Sequence, residues 1–370
     1  MQANELLQLM VEKDASDLHI KAGRPPGMRI HGSLIPFEDF LPLTPEDTER
    51  FVDEITTDEQ KAIFNSENEL DFAYSVPGLA RFRVNIFRQR DLVGAVLRLV
   101  PLEVKTIKEL GLPRVVAELA MEPRGLVLVV GPTGSGKSTT LAAMIDHINS
   151  SQQKHIITVE DPIEFWHEDK MSYISQREVG RDTNSFHSAL KYVLRQDPDV
   201  ILVGEMRDLE TVSTAVTAAE TGQLLLATLH TTNAAQTVDR IIDMYPVEQQ
   251  QQIRMQLSMT LQGVLSHTLL PRSDGKGRVL ALEIMVSNTA IRSLIRDGKT
   301  HQIPLQIQTG AESGMQSLDQ ALKELYTKGV ITHETAMAFA NNPEELLRML
   351  RESRPSMAVS SPRIERRIRI

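Results

Sequence analysis

The run Gly131-Pro132-Thr133-Gly134-Ser135-Gly136-Lys137-Ser138 satisfies G-x-x-x-x-G-K-[ST] at every fixed position. The apolar stretch Leu126–Val130 leads into it, and a helical stretch leads out from Thr139. A turn of this kind needs a buried strand before it and a helix N-terminus behind it, so the chain is committed to a sheet covered by helices. The same geometry aims backbone N–H groups at one point, which suits the phosphates of a nucleoside triphosphate. Gly131 through Gly136 form the cradle, Lys137 reaches the β- and γ-phosphates, Ser138 takes one position on a nucleotide-borne Mg²⁺, and Thr139 continues the binding segment. A chance glycine-rich turn would not also bring the strand, the Lys-Ser pair and the helix.

Three more short runs share the character of Leu126–Val130: His155–Val159, Val200–Val203 and Leu224–Leu229. Each is apolar on both faces and bounded by Gly, Asp or His, the pattern of central parallel strands, so the fold class is α/β. At roughly 150 residues per domain, 370 residues suggest about two domains. Residues 1–100 read as an α+β domain. Its opening helix carries Leu6, Leu7, Leu9 and Met10. Strands are expected at Asp17–Ile20, Gly27–Ile35, Glu69–Tyr74, Arg81–Arg88 and Gly94–Val100, with a helix capped by Thr44 between them. Residues 101–123 form a connector, and 124–350 the core with a helical C-terminal part. There Ile253, Leu257, Leu261 and Leu265 give helical spacing across Val247–Leu270, and Val279–Val286 adds a strand. Residues 351–370, rich in arginine with no apolar period, read as a disordered basic tail.

The composition removes several function classes. There is no cysteine, hence no disulfide scaffold, thiolate metal site or thiol nucleophile. Acidic residues outnumber basic ones by 49 to 40, and aromatics are 4%, which together disfavour a dedicated nucleic-acid binder. No apolar run approaches the roughly 20 residues of a membrane span. The N-terminus has no signal-like apolar region, so the cytoplasm is the expected location. The ten histidines fall in no H-E-x-x-H spacing, so no protein-built metal site is expected.

Triphosphate hydrolysis needs a group to orient or deprotonate water. Two strands end in carboxylates. The first leads into Glu160-Asp161-Pro162-Ile163-Glu164, the second into Gly204-Glu205. Gly204 stands where a Mg²⁺-holding aspartate is usual, leaving Glu205, Asp161 and Glu164 as candidates; Glu160 could as well pair with an arginine. His230, at the tip of Leu224–Leu229 among polar neighbours, is a candidate γ-phosphate sensor. In Arg81–Arg88, Phe82, Val84 and Ile86 take one face, and Arg81, Arg83 and Asn85 the other. Arg83, with Arg98 in the next strand, could neutralise phosphate charge or simply line a solvated face. Arg195, Arg207 and Arg240 are further candidates.

Several segments together resemble the secretion ATPase family, and within it the PilT-like retraction ATPases of type IV pili. Ile157–Phe165 (ITVEDPIEF) is similar to the family's aspartate box, Asp197–Asp208 (DPDVILVGEMRD) to its atypical Walker B segment, and Thr228–Ala234 (TLHTTNA) to its histidine box. Ala290–Ile303 (AIRSLIRDGKTHQI) resembles its retraction segment, with Asp297 where Glu is expected. The resemblance implies a PAS-like N-terminal domain, a RecA-like core and a homo-hexamer. It implies Glu164 as catalytic glutamate, Glu205 as Walker B glutamate beside Ser138 on Mg²⁺, His230 in the histidine box, and Arg83 and Arg98 approaching ATP. The expected partner is an inner-membrane platform protein, with the ATPase peripheral at the inner face of that membrane. No membrane span and no specific nucleic acid are expected.

The expected activity is ATP hydrolysis that drives pilus retraction and twitching. ELLQLMVEK and DGKGR also resemble the accessory PilU branch, so that role, and pairing with a paralogous retraction ATPase, is an alternative. An extension or type II secretion motor is another; the lack of a four-cysteine zinc insert speaks against it. A RecA-like DNA translocase is permitted by the cradle and Glu205 but opposed by the charge.

Overall fold

Residues 80–89 show why the first sheet forms. Phe82, Val84 and Ile86 are fully buried, while Arg83 and Arg88 are exposed, the period-two pattern of a strand with one wet face. The computed structural model describes residues 2–30, 32–37, 39–100 and 104–352, so the expected tail lies outside the described residues from 353 on, as does the start of the connector. By internal packing the chain divides into two units, 1–121 with 138–205 and 122–137 with 206–370.

The first unit opens with six strands: β1 (Ala15–Lys21), β2 (Gly27–Ile30), β3 (Ser33–Pro36), β4 (Glu69–Val76), β5 (Ala80–Gln89) and β6 (Leu92–Val100). They form an antiparallel sheet in the order β3-β2-β1-β6-β5-β4. Helices Ala3–Glu12 and Pro45–Ile55 bury Leu6, Leu7, Met10, Phe51, Val52 and Ile55 in the same core as Phe82, Val84 and Ile86. Thr44 caps the second helix as expected: its N–H donates to Asp47 Oδ2 at 2.9 Å, and the Asp47 N–H returns to Thr44 Oγ1 at 3.2 Å. The single strand expected over Gly27–Ile35 is instead a hairpin. Gly32, at φ +87°, takes the left-handed turn that splits it.

Seven further strands follow: β7 (Gly125–Val130), β8 (His155–Glu160), β9 (Tyr173–Glu178), β10 (Val200–Val203), β11 (Leu224–Leu229), β12 (Leu261–Pro271) and β13 (Arg278–Val286). In the first unit, β10, β8 and β9 run parallel side by side. In the second, the order is β13-β12-β7-β11, with β12, β7 and β11 parallel and β13 antiparallel. Every residue of β7 and β11 is buried, as the runs expected of central strands require. Strand β9 has no such signature, since Tyr173-Ile174-Ser175-Gln176-Arg177-Glu178 is mostly polar.

The helix expected over Val247–Leu270 stops at Thr260, and Leu261 and Leu265 lie in β12. A four-residue spacing is shared by one helical turn and two strand pleats, so it could not separate the two readings. The stop is built by Arg292, in helix Thr289–Arg296. Its Nη1 donates to the carbonyls of Ser258 (3.0 Å) and Met259 (2.8 Å), its Nη2 to Gln262 Oε1 (2.8 Å) and its Nε to the Ser287 carbonyl (2.9 Å). Helix-end carbonyls have no partner within the helix, and a cation suits them. Beyond it, helices Leu318–Thr327, His333–Phe339 and Pro343–Glu352 pack a small core around Leu322, Ile331 and Leu346. Among the described residues no helix is long and apolar enough to cross a membrane.

Arg292→Ala leaves two helix-end carbonyls short of a charged donor and is expected to lower stability by about 2 kcal/mol. Denaturant unfolding measures this; an unchanged midpoint would show that water replaces the guanidinium without loss.

Candidate phosphate-binding site and its carboxylate loop

In the second unit β7 ends at Val130 and the chain turns at Gly131. Its φ is +142°, and a Cβ there would sit 2.7 Å from the His267 carbonyl oxygen and 2.8 Å from Ser135 Oγ. Conformation and space therefore both demand glycine. Lys137, the first residue of helix Lys137–Ser151, is buried, and its ammonium donates to the carbonyls of Gly131 (2.9 Å) and Pro132 (3.1 Å). Pro132, Thr133 and Gly134 are exposed, whereas Gly136, Ser138 and Thr139 are half-buried. The Ser135 hydroxyl is buried without a hydrogen-bond partner. A turn with no room for a Cβ at Gly131, a buried ammonium and an unpartnered buried hydroxyl fit a phosphate chain.

His267, on β12, was not singled out by the sequence reading. Its Nδ1 lies 3.2 Å from the Ser135 carbonyl, so Nδ1 carries the hydrogen, and the buried Nε2 has no partner. Burial, opposed in part by that hydrogen bond and reinforced by the Lys137 ammonium, pushes the imidazole down to about 4. The available signal was Ser266-His267-Thr268, a polar run between the apolar pairs Val264-Leu265 and Leu269-Leu270.

Strand β11 runs parallel to β7 with Leu229 opposite Val130, so His230 and Gly131 leave the same edge of the sheet. His230 is exposed. The polar residues after it have a local duty. Thr231 and Thr237 share a hydroxyl hydrogen bond (2.7 Å), and Asn233 caps helix Ala234–Asp243 through the Gln236 N–H (2.9 Å). The buried Glu283 of β13 accepts the Ala234 N–H at 2.8 Å and the Ser266 hydroxyl at 3.3 Å. The polarity of this run thus reports helix capping as well as a site mouth.

The carboxylates lie in the first unit. Glu160 ends β8 and, among the described residues, pairs with no arginine. It accepts from Thr158 Oγ1 (2.7 Å), Gln176 Nε2 (3.2 Å) and the Glu164 N–H (3.4 Å), and burial nevertheless raises its pKa. It is a staple for the loop that follows. Asp161 and Glu164 are exposed on that loop. Glu205 is half-buried just past β10. Beside it, a Cβ on Gly204 would lie 3.2 Å from the Glu160 Cα and 3.3 Å from the Val159 oxygen, a tight fit for the side chain of the usual aspartate.

Arg83 and Arg98 face each other directly across β5 and β6. Arg98 Nε binds Asp17 Oδ1 at 2.8 Å, and Arg29 approaches the same carboxylate at 3.5 Å. Burial would raise Asp17, but hydrogen bonds from Ser16 and Arg98 and the two arginine charges leave it lowered. Arg98 therefore has a structural duty. Exposed Arg83 has no hydrogen bond or ion pair among the described residues. Like charges in direct register repel, and an anion would relieve them. Arg81, expected on the same wet face, is instead buried against Glu178. Arg195, Arg207 and Arg240 are exposed. Among the described residues no cluster of three His, Cys, Asp or Glu could hold a metal.

Residues 80–275 match the family model described as type II/IV secretion system protein. The chain is 50% identical to the type IV pilus retractation ATPase PilT of Pseudomonas aeruginosa over 93% of its own length and 99% of that protein. It is 46% identical to the type IV pilus ATPase PilU of the same organism, over 95% and 92%. Its structure matches the crystal structure of the pilus retraction motor PilT with bound ADP at a TM-score of 0.89 and 49% identity, covering 94% of this chain and all of that one.

The lowered His267, and His167, likewise pushed by burial to about 4, stay neutral in the folded chain while the unfolded chain takes up protons near 6.5. Stability is therefore full above about pH 6.5 and declines toward pH 4. His267→Gln keeps an amide donor for Ser135 and removes one titration. It should flatten that decline by up to about 3 kcal/mol, measured by melting across the range. An identical slope in the variant would refute the neutral buried imidazole.

Proposed function

Because the chain belongs to the type II/IV secretion system protein family, we propose that it is an ATP-hydrolysing motor that retracts type IV pili. The observation that carries the reading is the cradle: a turn at Gly131 with no room for a side chain, closed by the buried Lys137 ammonium. In this reading Gly131–Gly136 wrap the phosphates with backbone N–H groups, and Lys137 neutralises the β- and γ-phosphate charge. Ser138 and Glu205 would hold the nucleotide's Mg²⁺, whose chemistry is to withdraw charge from the phosphate oxygens.

Glu164 orients the attacking water and accepts its proton; its exposed side chain on the loop after β8 leaves it open to substrate. His230, at the tip of the strand beside β7, senses the γ-phosphate. Arg83 and Arg98 offset phosphate charge, Arg83 being the stronger candidate because Asp17 already engages Arg98. The protein works as a cytoplasmic homo-hexamer that acts on an inner-membrane platform protein at the inner face of that membrane. A second reading, the accessory PilU-type role alongside a paralogous ATPase, is favoured by the near-equal likeness to both pilus ATPases.

Lys137→Ala is expected to keep the fold and lose ATP turnover. In a host lacking the chain it should restore neither retraction nor twitching; restoration by this form would end the motor reading, and restoration of piliation balance without force would favour the accessory role.

Glu164→Gln should bind ATP normally while turnover falls by about 10²–10⁴. Arg83→Ala should reduce turnover more than ring assembly, read by steady-state hydrolysis alongside light scattering. Equal losses would return Arg83 to the solvated sheet face.

A further inference from the structure

Arg81 is the charged group that the proposed function leaves without a task. It stands two residues before Arg83 on β5, yet it is buried while Arg83 is exposed. Its Nη2 donates to Glu178 Oε2 at 2.6 Å, and both side chains are 8% exposed. The same Oε2 accepts the Ile163 N–H at 3.2 Å. The guanidinium carbon lies 5.5 Å from the centroid of the Trp166 ring. Ile163 and Trp166 bracket Glu164, so one arginine and one glutamate hold the loop on both sides of the proposed catalytic carboxylate.

The rest of the loop is tied to the same strand. Gln176 of β9 donates to the Phe165 carbonyl (2.9 Å) and accepts the His167 N–H (2.9 Å). The Glu178 N–H is itself anchored on Asp182 Oδ2 at 2.8 Å. These contacts make β9 a rail along which residues 163–167 are pinned. Arg81 reaches it from the N-terminal sheet through a buried charge.

A buried ion pair is a poor source of stability, because desolvation offsets most of the attraction. Here the cost is plainer still, since Arg81 Nε is buried with no partner. What the pair supplies is direction: a charged, hydrogen-bonded contact tolerates less drift than an apolar one. We propose that Arg81 and Glu178 are positioning residues that fix the Glu164 loop and fasten it to β5, the strand that presents Arg83. This deepens the reading of Glu164 as the water-activating group and rests on it.

Trp166 is the sole tryptophan of the chain, so its emission reports the loop without a label. The full-length chain is compared with Arg81→Met, Arg81→Lys, Glu178→Gln, the double variant Arg81→Met/Glu178→Gln and Glu164→Gln. The double variant removes both charges at once, so neither is left buried alone, and its amide still accepts from Ile163. For Arg81→Met and the double variant, kcat should fall by about 10- to 100-fold, the scale of a displaced catalytic group, with KM for ATP and Kd for ADP within about twofold. Trp166 emission should shift in both, Arg81→Lys should recover part of kcat, and Glu164→Gln should leave the emission unchanged.

Wild-type kcat in a folded double variant would overturn the proposal, as would a loss confined to KM. Failure of both the single and double variants to fold would also overturn it, by making the pair a folding element. The underlying reading fails separately: if Glu164→Gln turns over normally, Glu164 is not the water-activating group, whatever the Arg81 variants do.

Discussion

The close approach of Gly131 to His267 organises the second unit. Because β12 runs beside β7, its backbone carbonyl fills the space a side chain would need at the turn, and its imidazole braces the Ser135 carbonyl. The turn cannot relax outward without losing that brace, nor inward past the carbonyl. Lys137 folds back onto the same turn, so the ammonium is placed by the loop whose charge balance it sets. The adjoining residue Ser266 leads through Glu283 to the first N–H of the helix after His230. Two neighbouring positions on one strand therefore support both the cradle and the histidine segment.

The first unit solves a similar problem with other groups. Its carboxylate-bearing loop leaves β8 and has little apolar anchorage beyond Ile163. Glu160, Gln176 and Glu178 supply the anchorage instead, through hydrogen bonds to the backbone of residues 163–167. Buried polar networks are costly when incomplete and stiff when complete, which suits a segment proposed to hold one carboxylate in place.

Much of this was legible in the sequence because the central strands are apolar on both faces and flanked by turn residues. Leu126–Val130, His155–Val159, Val200–Val203 and Leu224–Leu229 each became a strand with at most one residue added. The cradle was legible because its spacing is rigid. What escaped was anything dependent on a distant partner. Arg81 reads as one of an alternating row, and only Glu178, far along the chain, reveals that it is buried. β9 escaped because a polar strand carries no period, and His267 because a single imidazole in an apolar run announces nothing about the turn it props. The end of the helix at Thr260 escaped because Arg292, the residue that stops it, lies on another element. The strand that carries Arg83 was legible as alternation, whereas the facing of Arg83 and Arg98 required the register of β5 and β6.

The crowding at Gly204 has a consequence for how such a site can change. With the main chain of residues 159 and 160 already close to where a Cβ would stand, any larger residue there asks those backbone atoms to yield. A substitution toward the commoner aspartate-bearing version therefore carries a steric cost that falls on backbone atoms, not on a side chain that could swing aside. Any gain from a second acid at this tip is set against that displacement, a constraint of volume rather than of charge.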